Sequence, residues 1–255
     1  MIKLKTLEEI EILREGGKRL AVILSALALK VVPGISALEL EEEAMRLIKE
    51  SGDKPAFLGY RPHGAKRPFP AALCVSINEE IVHGIPNEAE KIVKKGDIVS
   101  LDFGLLHRGL ITDAAITVPA GVIDEESKKL IEITRIALES GIKVALPGRT
   151  IGDIGAAISK VVRESGFTLA ESLVGHGVGY EVHEDPFVPN FGIAGRGEKL
   201  VPGLVIALEP MVNVGKSGIK VLSDGYTIRT RDGSRSAHFE HTVAITEKGN
   251  IILTL

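Results

Sequence analysis

Asp102 and Asp113 lie eleven residues apart in two strand-like runs, Ile98 to Phe103 and Leu110 to Val118, joined by a short segment containing His107, Arg108 and Gly109. If this hairpin folds about its middle, the two acids face each other, and directly opposed residues on one face of a sheet have Cβ atoms about 5 Å apart. Carboxylates that close repel unless they share a proton or a cation. Taken alone, the pair reads equally as two solvated acids beside a turn.

They do not stand alone, because the chain repeats the pattern. Gly96 is followed six residues on by Asp102, and Gly203 six residues on by Glu209; Thr112-Asp113 is answered by Phe239-Glu240, each acid leading into a β-type run. Glu209 sits in VIALEPMV and Glu240 in AHFEHTVAI, whose neighbours are of the buried type, and an unpaired buried carboxylate costs several kcal/mol. Four acids meeting on one sheet therefore call for cations. His176, in LVGHGVGYEVHEDP, adds an imidazole, with Gly175, Gly177 and Gly179 allowing close approach of the backbone. Four carboxylates and one imidazole suit two divalent ions of the harder or borderline kind, Co, Mn, Fe or Zn, bridged by water at about 3.5–4 Å. The GHGVG stretch lacks the GK[ST] ending and the following helix of a phosphate loop.

Two further histidines are singled out by the same repetition: Val82-His83-x-x-Pro86 returns as Val182-His183-x-x-Pro186. A single histidine is more often structural, but a matched pair points to function. His63, His107, His238 and His241 have no such support and read as surface or supporting residues.

The elements that must position these residues also come in two sets. Thr6 with Glu9 forms a capping box, and Leu7, Ile10, Leu13, Gly17, Leu20, Leu24, Leu27 and Val31 recur at helical spacing up to Pro33-Gly34. Ser36 with Glu39 opens a shorter helix that stops near Ser51-Gly52. A helical stretch from about Glu125 likewise ends at Pro147-Gly148, and a shorter one stops at Ser165-Gly166. A β-rich stretch follows each pair. The expectation is an α+β fold of two halves, about 6–120 and 124–250, related by a pseudo-twofold and sharing one antiparallel sheet within a single catalytic domain, 1–255.

Composition is compatible with that reading. At 255 residues and 27.2 kDa, with 44% hydrophobic and 25% charged residues, the chain can bury a sizeable core without staples. A net charge of −3 with no long single-sign block argues against nucleic-acid or membrane-surface binding. The lone Cys74 and the lack of a basic-then-apolar leader pattern suggest a cytoplasmic protein, with monomer as the default.

The segments SINEEIVHGIP, DIVSLDFG, GHGVGYEVHEDPFVPNFG, ALEPMV and DGSRSAHFEHTVAIT resemble those of type I methionine aminopeptidases, metallopeptidases of the pita-bread fold, and the likeness runs over nearly the whole chain. The resemblance implies two helix-covered, pseudo-twofold halves, with Asp102, Asp113, His176, Glu209 and Glu240 holding two metal ions. It implies that His83 and His183 flank the substrate peptide, with Glu209 as proton shuttle, and that the substrates are N-termini of nascent polypeptides, met at or near the ribosome. Phe57, Tyr60, Cys74 and Tyr226 match the methionine pocket, although Phe57 and Tyr60 read equally as core aromatics. It also implies a monovalent cation near Asn78 and Ser236. The chain departs from the family in Arg61 to Ala72, RPHGAKRPFPAA, a proline-rich and basic stretch with Ala72 in place of a serine, and in Tyr180 and Val182, which replace an arginine and a bulkier apolar residue. With Glu209 only 33 positions after His176 there is no room for the inserted subdomain of type II enzymes, and the catalytic pattern begins near residue 6, unlike that of proline-directed relatives.

Overall fold

The computed structural model describes residues 1–170 and 172–255. Helix α1, Leu7–Lys30, starts where Thr6 Oγ1 accepts the Glu9 amide at 3.2 Å while the Glu9 carboxylate accepts the Thr6 amide at 2.8 Å. Its buried stripe includes Ile10, Leu13, Gly17, Leu20, Leu24 and Leu27. Helix α2, Ala37–Ser51, repeats the reciprocal cap with Ser36 and Glu39 and ends on Gly52 in the left-handed region. In the second half α3, Glu125–Val144, is capped by Asp124, and α4, Ile151–Ser165, by Thr150 with Asp153. The reciprocal cap at Thr150 uses aspartate where the other two use glutamate, so the capping-box pattern sought in the sequence passes over it.

Among the described residues the main sheet has nine strands, all neighbouring pairs antiparallel. Its central path runs Lys54–Pro55, Ile98–His107, Leu110–Pro119, Glu240–Thr246, Val205–Leu208, Val174–Gly177 and Glu184–Pro189, with Cys74–Ile77 and Gly249–Ile252 pairing alongside. The halves meet where Leu110–Pro119 pairs with Glu240–Thr246. One apolar core lies under α1 and α2, another under α3 and α4.

The hairpin register differs from the expected one. His107 pairs with Leu110 across a two-residue turn in which Arg108 and Gly109 both have positive φ, 48° and 87°. Both strands therefore run up to the turn itself, and the pairing is offset by two residues from the one that would oppose the acids. Asp102 pairs with Ala115, and Asp113 with Gly104. The two aspartates are thus diagonal neighbours on one face rather than directly opposed.

One buried acid in the helical layer also shapes the site. Glu41, on the inner face of α2 and 6% exposed, accepts the amides of Ala72 and Leu73, both at 2.8 Å, just before the pocket residue Cys74. Replacing it leaves two buried N–H groups without acceptors, each costing about 1–3 kcal/mol. Glu41→Ala is expected to lower unfolding free energy in urea by about 3 kcal/mol, whereas a change below about 0.5 kcal/mol would show that the two amides find other partners.

Candidate metal centre

Strand pairing alone brings four of the five proposed ligands onto one face of the sheet. Asp102 and Glu240 flank Ala115 from opposite sides. One step along the same face, Gly104 pairs with Asp113, while Thr242 and His176 both pair with Ala207. Thr242 ties these two sets together, its hydroxyl accepting the Asp113 amide at 2.9 Å and donating to the Asp113 carbonyl at 2.7 Å. Glu209, the fifth, follows the last paired residue of its strand, Leu208, opposite His241, which succeeds Glu240. The small residues between the acids leave the space above the sheet open.

All five are buried, with exposures of 7% at Asp102, 3% at Asp113, 6% at His176, 9% at Glu209 and 2% at Glu240. One ligand atom each from Asp113, His176 and Glu240 fall within 4.8 Å of one another, and His176 Nε2 lies 3.3 Å from Glu209 Oε1. Burial, with repulsion from Asp113, drives Asp102 well above its usual carboxylate range, and burial lifts Asp113 to about 7. Burial and the neighbouring acids likewise push Glu209 and Glu240 well upward. Asp102 Oδ1, Asp113 Oδ1 and Glu240 Oε1 have no hydrogen-bond partner. Orphaned oxygens beside an imidazole, in a cluster whose members oppose one another's ionisation, fit divalent cations.

The imidazole is prepared for the same purpose. His176 Nδ1 donates to the Gly177 carbonyl at 2.9 Å, which leaves the Nε2 lone pair facing the acids, and burial holds the ring neutral with a pKa of about 3. The flanking glycines are obligatory for close packing, since a Cβ at Gly175 would run into the Ala207 carbonyl and one at Gly177 into the Asp185 carbonyl.

Above the acids lies a cavity lined by the five proposed metal ligands, by His83 and His183, and by the four expected pocket residues. Phe57, Tyr60, Cys74 and Tyr226 form part of its wall, joined by Pro62, Phe69, Val82 and Val182. Val182 is one of the positions at which the sequence suggests a departure from the family, and Phe69 and Pro62 belong to another, the Arg61–Ala72 stretch. That stretch folds onto the pocket: Phe69 packs edge-on against Tyr226 with ring centres 5.2 Å apart, and the Tyr226 hydroxyl donates to the Arg67 carbonyl. Phe57 and Tyr226 are core-like, at 8% and 9% exposure, and line the cavity as well.

His83 and His183 both border the cavity. His83 has a left-handed backbone, φ 58°, and burial together with the nearby His183 lowers its pKa to about 4. The His183 ring stands edge-on to His176 with centres 4.4 Å apart, and its Nδ1 meets the Tyr60 hydroxyl at 2.9 Å.

Of the histidines set aside, His63 is exposed and His241 bonds Thr254 Oγ1 at 2.9 Å. His107 is buried and bonds Asp53 at 2.7 Å. His238 is 1% exposed, both ring nitrogens lack partners, and its Nε2 lies 3.6 Å from Glu209 and 3.9 Å from Glu240. Its position two residues before Glu240 was the available signal. Asn78 and Ser236 are neighbours, with the Ser236 amide donating to the Asn78 carbonyl at 2.8 Å.

The chain is similar to several known proteins. A methionine aminopeptidase from Aquifex aeolicus is 47% identical over 99% of this chain and 98% of its own length. Methionine aminopeptidase 1 of Bacillus subtilis is 44% identical over 100% of this chain and 99% of its own. The crystal structure of a Thermotoga maritima methionine aminopeptidase superposes with a TM-score of 0.93 at 44% identity, covering 100% of this chain and 99% of that one. A prolidase from Pyrococcus furiosus shares the pita-bread architecture at a TM-score of 0.77 and 24% identity, covering 99% of this chain but 65% of its own. Matching the family over residues 11–247, with its acids and histidine gathered on one sheet face, the chain belongs to metallopeptidase family M24.

Proposed function

We propose that this protein is a methionine aminopeptidase that removes the first residue from nascent polypeptides whose second residue is small, working in the cytosol as a single catalytic domain. The observation that carries the reading is the set Asp102, Asp113, His176, Glu209 and Glu240, all buried, with unpartnered oxygens on Asp102, Asp113 and Glu240, at the floor of a cavity bordered by His83 and His183. Asp102, Asp113, His176, Glu209 and Glu240 would hold two divalent ions drawn from Co, Mn, Fe and Zn. When bound, such ions supply Lewis acidity and a nucleophilic water at neutral pH.

The residues of the chain do the rest. Glu209, at the edge of the acid cluster, takes the proton of the attacking water and returns it to the departing amine. The Tyr60 hydroxyl lies 2.9 Å from Nδ1 of His183; in the tautomer that accepts the hydroxyl proton at Nδ1, the ring proton is on Nε2, available to the carbonyl oxygen as charge develops. His83, kept neutral by burial, hydrogen-bonds the scissile amide. The free α-amine of the substrate meets the acids, which restricts cleavage to the first residue. Phe57, Tyr60, Phe69, Cys74, Val82, Val182 and Tyr226 enclose a slender apolar side chain beside a thiol, the surroundings that suit a thioether.

Metal-stripped protein resupplied with Co or Mn is expected to release methionine from Met-Ala-Ser and not from Met-Leu-Ser, with Glu209→Gln slower by about 10²-fold or more. Cleavage without metal, or equal cleavage of both peptides, would contradict the assignment.

The metal-free protein should also betray the acids through its pH dependence. A carboxyl whose folded pKa is raised stabilises the fold while protonated and loses that contribution as pH rises. For Asp113 the window runs from its unperturbed 3.8 to about 7. Metal-stripped protein is therefore expected to show a melting temperature that falls from pH 5 to pH 8, with added Mn abolishing the fall. A flat profile in the stripped protein would mean that the acids are neutralised within the chain.

A further inference from the structure

Val182 and His183 reach the cavity from the short connection between the strands Val174–Gly177 and Glu184–Pro189. Much of what holds this connection comes from the far N-terminus. The Met1 ammonium pairs with Asp185, Lys3 Nζ with Glu181 at 3.0 Å, Lys5 Nζ with Glu184 at 2.6 Å, and the Tyr180 hydroxyl donates to Glu9 at 2.8 Å. Three of these contacts are open to water and contribute little. The Lys5–Glu184 pair is different, with side-chain exposures of 1% and 3%.

The second Glu184 oxygen accepts the amides of Tyr180 at 2.5 Å and Glu181 at 3.0 Å, so one carboxylate closes the turn that carries His183 and receives the lysine. Lys5 is itself fixed. Its amide donates to the Gly203 carbonyl at 2.7 Å, its ammonium donates to the Lys3 carbonyl at 3.2 Å, and its stem fills the space over Gly179, where a Cβ would lie 2.5 Å from Cε. Gly179 is also the acceptor for the Ile111 amide at 2.7 Å, which ties the turn to the strand that holds Asp113. Removing one partner of a buried ion pair leaves an uncompensated charge and is strongly destabilising, so the pair links the lysine to the stability of the turn.

We propose that Lys5 is a positioning residue: through its buried ion pair with Glu184 it fixes the Tyr180–Glu184 turn and thereby holds His183 and Val182 at the substrate cavity. The catalytic part of this inference rests on the peptidase reading of His183, whereas the mechanical part does not.

The test compares the wild type with Lys5→Met and, should the single variant not fold, with Lys5→Met/Glu184→Gln, which removes both charges together. Hydrogen exchange at the Tyr180 and Glu181 amides is expected to quicken by about tenfold or more, with the Val174–Gly177 strand unchanged. At equal metal content, kcat/KM for Met-Ala-Ser should fall about tenfold in the wild-type background and less than about twofold in a His183→Ala background, since a residue acting through His183 has little left to lose there. Unchanged exchange at Tyr180 and Glu181 would overturn the proposal, as would an equal loss in both backgrounds, the mark of a purely structural role. A wild type that binds metal but cleaves nothing would sink the peptidase reading, and the exchange rates would then decide the mechanical claim by themselves.

Discussion

Four carboxyl groups buried together, three on one face of an antiparallel sheet and Glu209 just beyond a strand end, cannot all ionise unless cations lie between them, and most of the architecture follows from that constraint. Each of the four is driven upward in pKa, chiefly by loss of water, and three present oxygens without partners. A site of this kind is held together by the covalent path of the strands, because its members repel one another. The pairings of Asp102 and Glu240 with Ala115, and of His176 with Ala207, supply that path. Helices α1 to α4 cover the sheet and bury the two apolar cores that offset the strain of gathering like charges.

The rim of the cavity is built on different terms. Its histidines lie on connections, where backbone pairing is sparse, and the rim is steadied by side chains distant in sequence. Tyr60 reaches His183, Glu41 pins the approach to Cys74, and Lys5 reaches the turn beside His183 through Glu184. A rigid floor and a tethered rim suit a reaction in which the acids must stay fixed while a peptide enters past the histidines.

Much of this was legible in the sequence because the same signals recur in its two halves. The capping boxes at Thr6 and Ser36 locate two helices, the echo of Gly96–Asp102 in Gly203–Glu209 locates two acids, and the paired V-H-x-x-P segments locate two histidines. What local pattern could not give was register and long-range contact. The offset of Asp102 from Asp113 depends on the Arg108–Gly109 turn, which a symmetric reading of the hairpin misplaces. The burial of His238 and His107, the reach of Lys5 across to Glu184, and the folding of Phe69 onto Tyr226 all join residues remote in sequence. The aromatic wall was half legible for a related reason, since a residue such as Phe57 can belong to the core and face the cavity at once.

The account turns on carboxyl groups that keep protons until metal displaces them. The most direct test is calorimetric titration of metal-stripped protein with Mn at pH 6 in two buffers of different ionisation enthalpy, which counts protons released per ion bound. The account predicts saturable uptake with net proton release, diminished in Asp113→Asn. Uptake without proton exchange, or no uptake by the folded chain, would contradict it.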